Sequence, residues 1–179
     1  MTLYTTAKSC MMESLESLAT CLSECPSWQE LTETADDDAA LATIVIGPFD
    51  DPKSGPVYSE SELDEELVYA HIIPDSHNMR RRDDTSARAE IMRVAHIYIH
   101  RQVREVEVRD GYRDPWQYFA DLMFVIMESE LWATANTNGL YVQGVEMLAA
   151  PGFTPQQDTE GHGEDIQAHY EVSIGKVQE

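Results

Sequence analysis

Glu90-Ile-Met-Arg-Val-Ala-His-Ile-Tyr-Ile-His100 is the stretch that decides the fold. β-branched and aromatic residues alternate with others along it, the pattern of a pleated, half-buried strand. Downstream lie the turn dipeptide Asp110-Gly111 and then Asp114-Pro115, an N-cap followed by a first-turn proline. Trp116, Phe119, Ala120, Met123, Ile126 and Met127 then recur at three- and four-residue steps, one face of a helix. Ala89 to Leu131 is therefore expected to run strand, tight turn, helix.

Towards the N-terminus, residues 5–25 read as a helix with Met11, Leu15, Leu18, Leu22 and Cys25 in one apolar stripe and Glu13, Glu16 and Glu24 off it. Pro26 ends that helix or sits just beyond it. Residues 27–40 are expected to form an acidic connector. Its run Asp36-Asp37-Asp38 could suggest a metal, but it lacks the glycine of a calcium loop, and a solvated loop is the better reading. Leu41 to Ile46 reads as a buried strand stopped by Gly47-Pro48, Phe49 to Glu66 as loop, and Leu67 to Ile73 as a strand closed by Pro74. Asp75 to Arg88, with Arg80-Arg81-Arg82, reads as an exposed polar arm.

Towards the C-terminus, Asn136-Thr-Asn-Gly139 is a turn cluster, and Leu140 to Leu148 is a strand interrupted by Gly144. Pro151 to Asp165 is expected to be a second long polar loop. In the last strand, Ile166, Ala168, Tyr170, Val172 and Ile174 alternate with polar residues at a period of two. The expected fold is a single α+β domain over 1–179: a mostly antiparallel β-sheet, two principal helices packed on one face, and long polar loops. Residues 49–88 form a loop- and arm-rich insertion and 151–165 a long loop.

Composition narrows the function classes. The 179 residues are 42% hydrophobic, ordinary for a globular chain, and no apolar run approaches the ~20 residues of a membrane span. The N-terminus has neither a basic start nor an apolar core, so no signal peptide is expected. Cys10, Cys21 and Cys25 are odd in number, which favours reduced thiols. Net charge is −21, distributed as −14 over residues 1–75, +3 over 76–113 and −10 over 114–179. Such a surface should avoid nucleic acid, because phosphate contacts run on Lys and Arg, and a concave acidic lining would let DNA pass without sticking. The same acids could also serve solubility alone.

No motif declares a catalytic chemistry: nucleophile elbow, phosphate-binding loop, dinucleotide fingerprint and zincin helix are all missing. His96 and His100 share a strand face about 13 Å apart, too far for one ion. His162 and His169 flank Glu164 and Asp165 and could together hold a metal, the one enzyme-like alternative. An enzyme is not expected, and no cofactor is.

The layout resembles that of the tail terminator (tail completion) proteins of long-tailed bacteriophages. The matching parts are the amphipathic helix to Cys25, the Ile91–Val103 strand and the Asp114-Pro115-Trp116 helix. The Tyr141–Leu148 strand, the extended Pro151–Asp165 loop and the closing His169–Ile174 strand complete it. The resemblance implies a virion protein, a homo-hexameric ring capping the tail tube, with the tail-tube protein and the head–tail connector as partners. DNA would pass through its lumen without specific binding. The longer 49–88 region leaves room for a neighbouring neck or connector ring subunit instead. Arg80, Arg81 and Arg82 of one copy gripping an acidic stretch such as Asp36, Asp37 and Asp38 of the next would make a heterologous contact, the kind that closes into rings.

Overall fold

The computed structural model describes residues 3–47, 68–74, 80–82, 90–103, 115–155 and 164–176, with side chains described over 13–47, 68–74, 94–101, 117–149 and 166–174. The alternation of the last strand does what its pattern predicts. Strand β6, Glu164–Lys176, buries Ile166, Ala168, Tyr170, Val172 and Ile174 on one face. The earlier strands are β1 (Ile44–Ile46), β2 (Val68–Pro74), β3 (Arg80–Arg82), β4 (Glu90–Val103) and β5 (Tyr141–Pro155). They form a six-stranded sheet in the order β1-β2-β4-β6-β5, with β3 pairing β4 off that path. Neighbours are antiparallel except β1 and β2, which are parallel. The fold is α+β with a mixed sheet.

One face of the sheet carries Ala70, Ile72, Ala95, Ile97, Ile99 and the buried residues of β6, and the helices pack there. Helix α1, Leu3–Ser23, contributes Leu15, Leu18 and Leu22 from its expected stripe. The acidic connector is a correction: it folds into α2 (Pro26–Thr32) and α3 (Asp37–Leu41). Pro26 starts a helix as well as following one, because a proline's missing N–H costs nothing in a first turn. Trp28 and Leu31 then bury an apolar edge, and Trp28 Nε1 donates to Ala40 O across to α3. Asp36 caps α3, its Oδ1 accepting from Ala39 N at 2.8 Å. Leu41 consequently belongs to α3, and the strand expected from it begins only at Ile44.

The central helix is longer than its apolar periodicity implies. Helix α4 (Pro115–Val125) passes through a π-helical turn, Ile126–Glu130, into α5 (Leu131–Thr137), so Asn136 and Thr137 lie in the last helical turn and not in a loop. Gly139, at φ +69, then takes the left-handed conformation that turns the chain into β5. The π-turn ties the helical layer together. Cys25 offers α2 no side-chain cap, and the Glu130 carboxylate supplies one, accepting from Ser27 N and Ser27 Oγ at 2.8 Å each.

Two loop expectations also need correcting. Much of 151–165 is strand: β5 runs to Pro155 and β6 begins at Glu164, while 156–163 lie outside the described residues. β5 tolerates Pro151 and Pro155 because it is an edge strand, where proline leaves no ladder hydrogen bond unmade. Register shifts between Met147 and Ala149 and between Ala149 and Gly152 absorb the irregularity. Within the expected arm, Arg80–Arg82 is strand β3, its residues opposite Met92, Ile91 and Glu90 of β4. The expected loop at 49–66, the Asp110-Gly111 turn and Asp114 lie outside the described residues.

A cation lies inside the joint between layers. Core-facing positions of β4 continue past Ile97 and Ile99 to Arg101, which is 2% exposed. Its Nη1 donates to Leu31 O at 2.7 Å, satisfying a carbonyl at the end of α2, and its Nη2 lies 3.3 Å from Glu33 Oε1. The guanidinium stacks 4.2 Å from the ring centroid of Phe119 in α4. Replacing Arg101 by Met keeps the volume but strands the Leu31 carbonyl and loses the ring contact, costing about 2–3 kcal/mol. Glu33→Gln, at a half-exposed partner, should cost under about 1 kcal/mol. Urea denaturation midpoints of the two variants check this ordering.

Candidate functional site

Strand alternation sends the other half of each strand to the face away from the helices. That face carries Tyr69, His71 and Ile73 of β2, His96, Tyr98 and His100 of β4, and Gln167, His169, Glu171 and Ser173 of β6. Four of the chain's six histidines are therefore on one side of one sheet. The rings are in contact. His96 Nδ1 lies 3.0 Å from His169 Nε2, Tyr98 stacks on His169 at 4.0 Å between centroids, and Tyr69 stacks on His100 at 4.8 Å.

These contacts fix what the histidines can do. One nitrogen of the His96–His169 pair must donate and the other accept, so the pair cannot carry two protons and keep its bond. Burial, and then the neighbouring His96, push the His169 pKa below its ordinary 6.5. His71 is 1% exposed with its Nε2 bonded to Gly47 O, and burial lowers its pKa too. A folded-state pKa below the unfolded value means that the unfolded chain takes up protons first as pH falls. Stability should be fully present above pH 6.5 and decline below it. Thermal midpoints measured from pH 7.5 to 5.5 should show this fall, and a His169→Asn variant should flatten it.

The residues of the metal alternative lie only partly among those described. His162 lies outside the described residues. Glu164 and His169 are five positions apart on one continuous strand, roughly 16 Å at ordinary strand rise. The partner of His169 is His96, across the β4–β6 ladder. Nothing in the spacing along either strand reveals that pair; it follows from register alone. Among the described residues no three His, Cys, Asp or Glu side chains gather closely enough to hold a metal ion.

The described cysteines are equally quiet. Cys21 and Cys25 are free and buried, and Cys25 Sγ donates to Cys21 O at 3.2 Å. Burial pushes their pKa values up to about 11 and about 12, so neither is a thiolate near neutrality. Both should resist a thiol reagent at pH 8 until the protein is unfolded. Because the unfolded thiols lose their protons near pH 9 and the folded ones do not, stability should also fall as pH rises from 9 towards 11.

The sequence-predicted interface residues lie on two separate elements, α3 and β3. Asp36 caps α3, Asp37 Oδ1 accepts from Gln29 Nε2 at 2.5 Å, and Asp38 is exposed in the same first turn. These acids suit a helix N-terminus, which explains the run without a ligand. Arg80–Arg82 form β3, opposite Met92, Ile91 and Glu90 of β4.

A second surface was not foreseen. Phe124, Met127, Glu128 and Trp132 around the π-turn face Val145, Met147 and Tyr170 of the sheet across a cavity of about 500 Å3. Tyr170 Oη donates to Met123 O at 3.4 Å, holding the helix to β6. Beside the cavity runs β5, whose Tyr141, Met147 and Leu148 are 44–47% exposed, as is Val125 at 42% on the helix. β5 is the last strand of the sheet and, among the described residues, pairs only with β6. An open edge with apolar side chains beside an apolar groove suits association. The sequence matches none of the family models and none of the curated proteins with which it was compared.

Proposed function

We propose that this chain is a virion structural protein forming a ring at the head-proximal end of a phage tail tube. There it ends tube polymerisation and joins the tail to the head connector. The observation that carries the proposal is the open β5 edge with its exposed Tyr141, Met147 and Leu148 beside the π-turn groove. Monomeric proteins blunt such edges with charge, proline or a covering loop. The order of elements supports the particular family, since an N-terminal helix, a long central strand, the Pro115 helix and two closing strands match the tail terminator layout.

Electrostatics suit a conduit. Net charge is −21 and Arg101 is buried, so a lumen wall drawn from this chain would be rich in acids. Phosphate contacts need surface Lys and Arg, so this wall would let DNA slide past. No helix among the described residues is long and apolar enough to cross a membrane.

Light scattering with negative-stain imaging tests the proposal. The purified chain, alone or with tail-tube protein, should give rings of about six times the 20.2 kDa of one chain, or tubes capped at one end. A monomer that ignores the tube protein overturns it. A ring that binds the connector but not the tube would make the chain the neighbouring neck subunit.

A further inference from the structure

We propose that the open edge of β5 receives the Arg80–Arg82 strand of a second copy, joining copies head to tail with those arginines against Glu146 and Glu128. This rests on the ring reading above and names the contact that would build the ring. Both strands lie at edges. The sheet order runs from β1 to β5 and so leaves β5 at one end, while β3 lies off that order, against β4 on the side that β2 also pairs. Among the described residues neither has a second strand partner.

The β5 edge is protected in one half and open in the other. Its prolines, Pro151 and Pro155, fall after Ala149, whereas Gly144–Met147 runs in unbroken register with Ser173–Tyr170 of β6. That stretch has no proline or lysine, the residues that usually blunt an edge. It is four residues long, enough for a three-residue strand.

Charge specifies the occupant. Glu146 is directly opposite Glu171 on the face away from the helices, and His96 is opposite Glu171 on its other side. Like charges placed directly opposite weaken a strand pair, and a cation laid beside this one would offset the repulsion. On the other face, Glu128 lines the groove that Met147 also lines. A carboxylate therefore lies on each face of the sheet at its β5 end. Three successive arginines place positive charge on both faces of a strand whatever its register, because side chains alternate. Arg80–Arg82 is the only such run in the chain. A strand laid along Gly144–Met147 extends the row His96, Glu171, Glu146 by one cation and puts another near Glu128.

Charge exchange tests this. Variant one carries Arg80→Glu, Arg81→Glu and Arg82→Glu; variant two carries Glu128→Arg and Glu146→Arg at exposed positions. Each alone sets like against like at every joint, and self-association by light scattering should weaken at least tenfold, with circular dichroism melts confirming the fold. Mixed one to one, every joint between unlike variants is again complementary, and assemblies should return with the two alternating. If the arginine variant fails to fold, variant two alone still reports, since it must dissociate. A wild type that assembles while the reversals change nothing, or while folded variants fail to reassemble on mixing, overturns this contact and leaves the ring reading standing. A wild type that never assembles, even on tube protein, overturns the ring reading and this contact with it.

Discussion

The two layers meet at a buried guanidinium. Arg101 reaches from the sheet to the end of α2, to the left-handed residue Glu33 that caps it, and to the ring of Phe119 in α4. An aliphatic side chain there would bury more cheaply but could not satisfy the Leu31 carbonyl, which has no further turn of helix to bond. The guanidinium supplies a donor, a partial ion pair and a flat surface for stacking at one point. α2 is only seven residues long and is fastened at both ends by side chains from elsewhere, Glu130 at its start and Arg101 at its close. The helical layer is thereby positioned over the sheet, and the groove beside the π-turn with it.

Periodicity made part of this legible. The stripe Leu15, Leu18, Leu22, the alternation of β4 and β6, and the apolar face of the Pro115 helix each follow from a local repeat, and each is buried as its repeat requires. Features that depend on a distant partner were opaque. α2 and α3 looked like an acidic loop because the first is capped by Glu130, about a hundred residues away. Pro151 to Asp165 looked like a loop because tolerance for proline depends on β5 being an edge, and strand order is not a local property. Arg80–Arg82 looked like an arm because three arginines have little strand preference of their own; pairing with β4 places them. The His96–His169 contact needed the register between two strands.

The two faces of the sheet differ in kind. Among the described residues the helix side is a largely apolar core, with the guanidinium of Arg101 buried in it. The opposite side stacks aromatic and imidazole rings around β4 and then passes, at β6 and β5, into the glutamates of positions 171 and 146. His96 stands between these two zones. It contacts His169, which burial and its neighbour keep from protonating readily, and it is opposite Glu171.

That acidic edge also bears on symmetry. The simplest way to close an open antiparallel strand is to pair it with its own copy across a two-fold axis, giving a dimer with a continuous sheet. Along β5 such pairing would bring a second Glu146 and Glu171 against a row that already sets these two side by side. Pairing β3 with its own copy would gather six arginines. Both two-fold solutions are opposed by like charge, which is how interfaces exclude wrong geometries. The combination that charge favours is one edge against the other. That contact uses different surfaces on each copy, so it leaves each new copy with the same free edge it has just covered. Such a contact ends only when the chain of copies meets itself, and the angle between the two edges of one twisted sheet sets how many copies that takes.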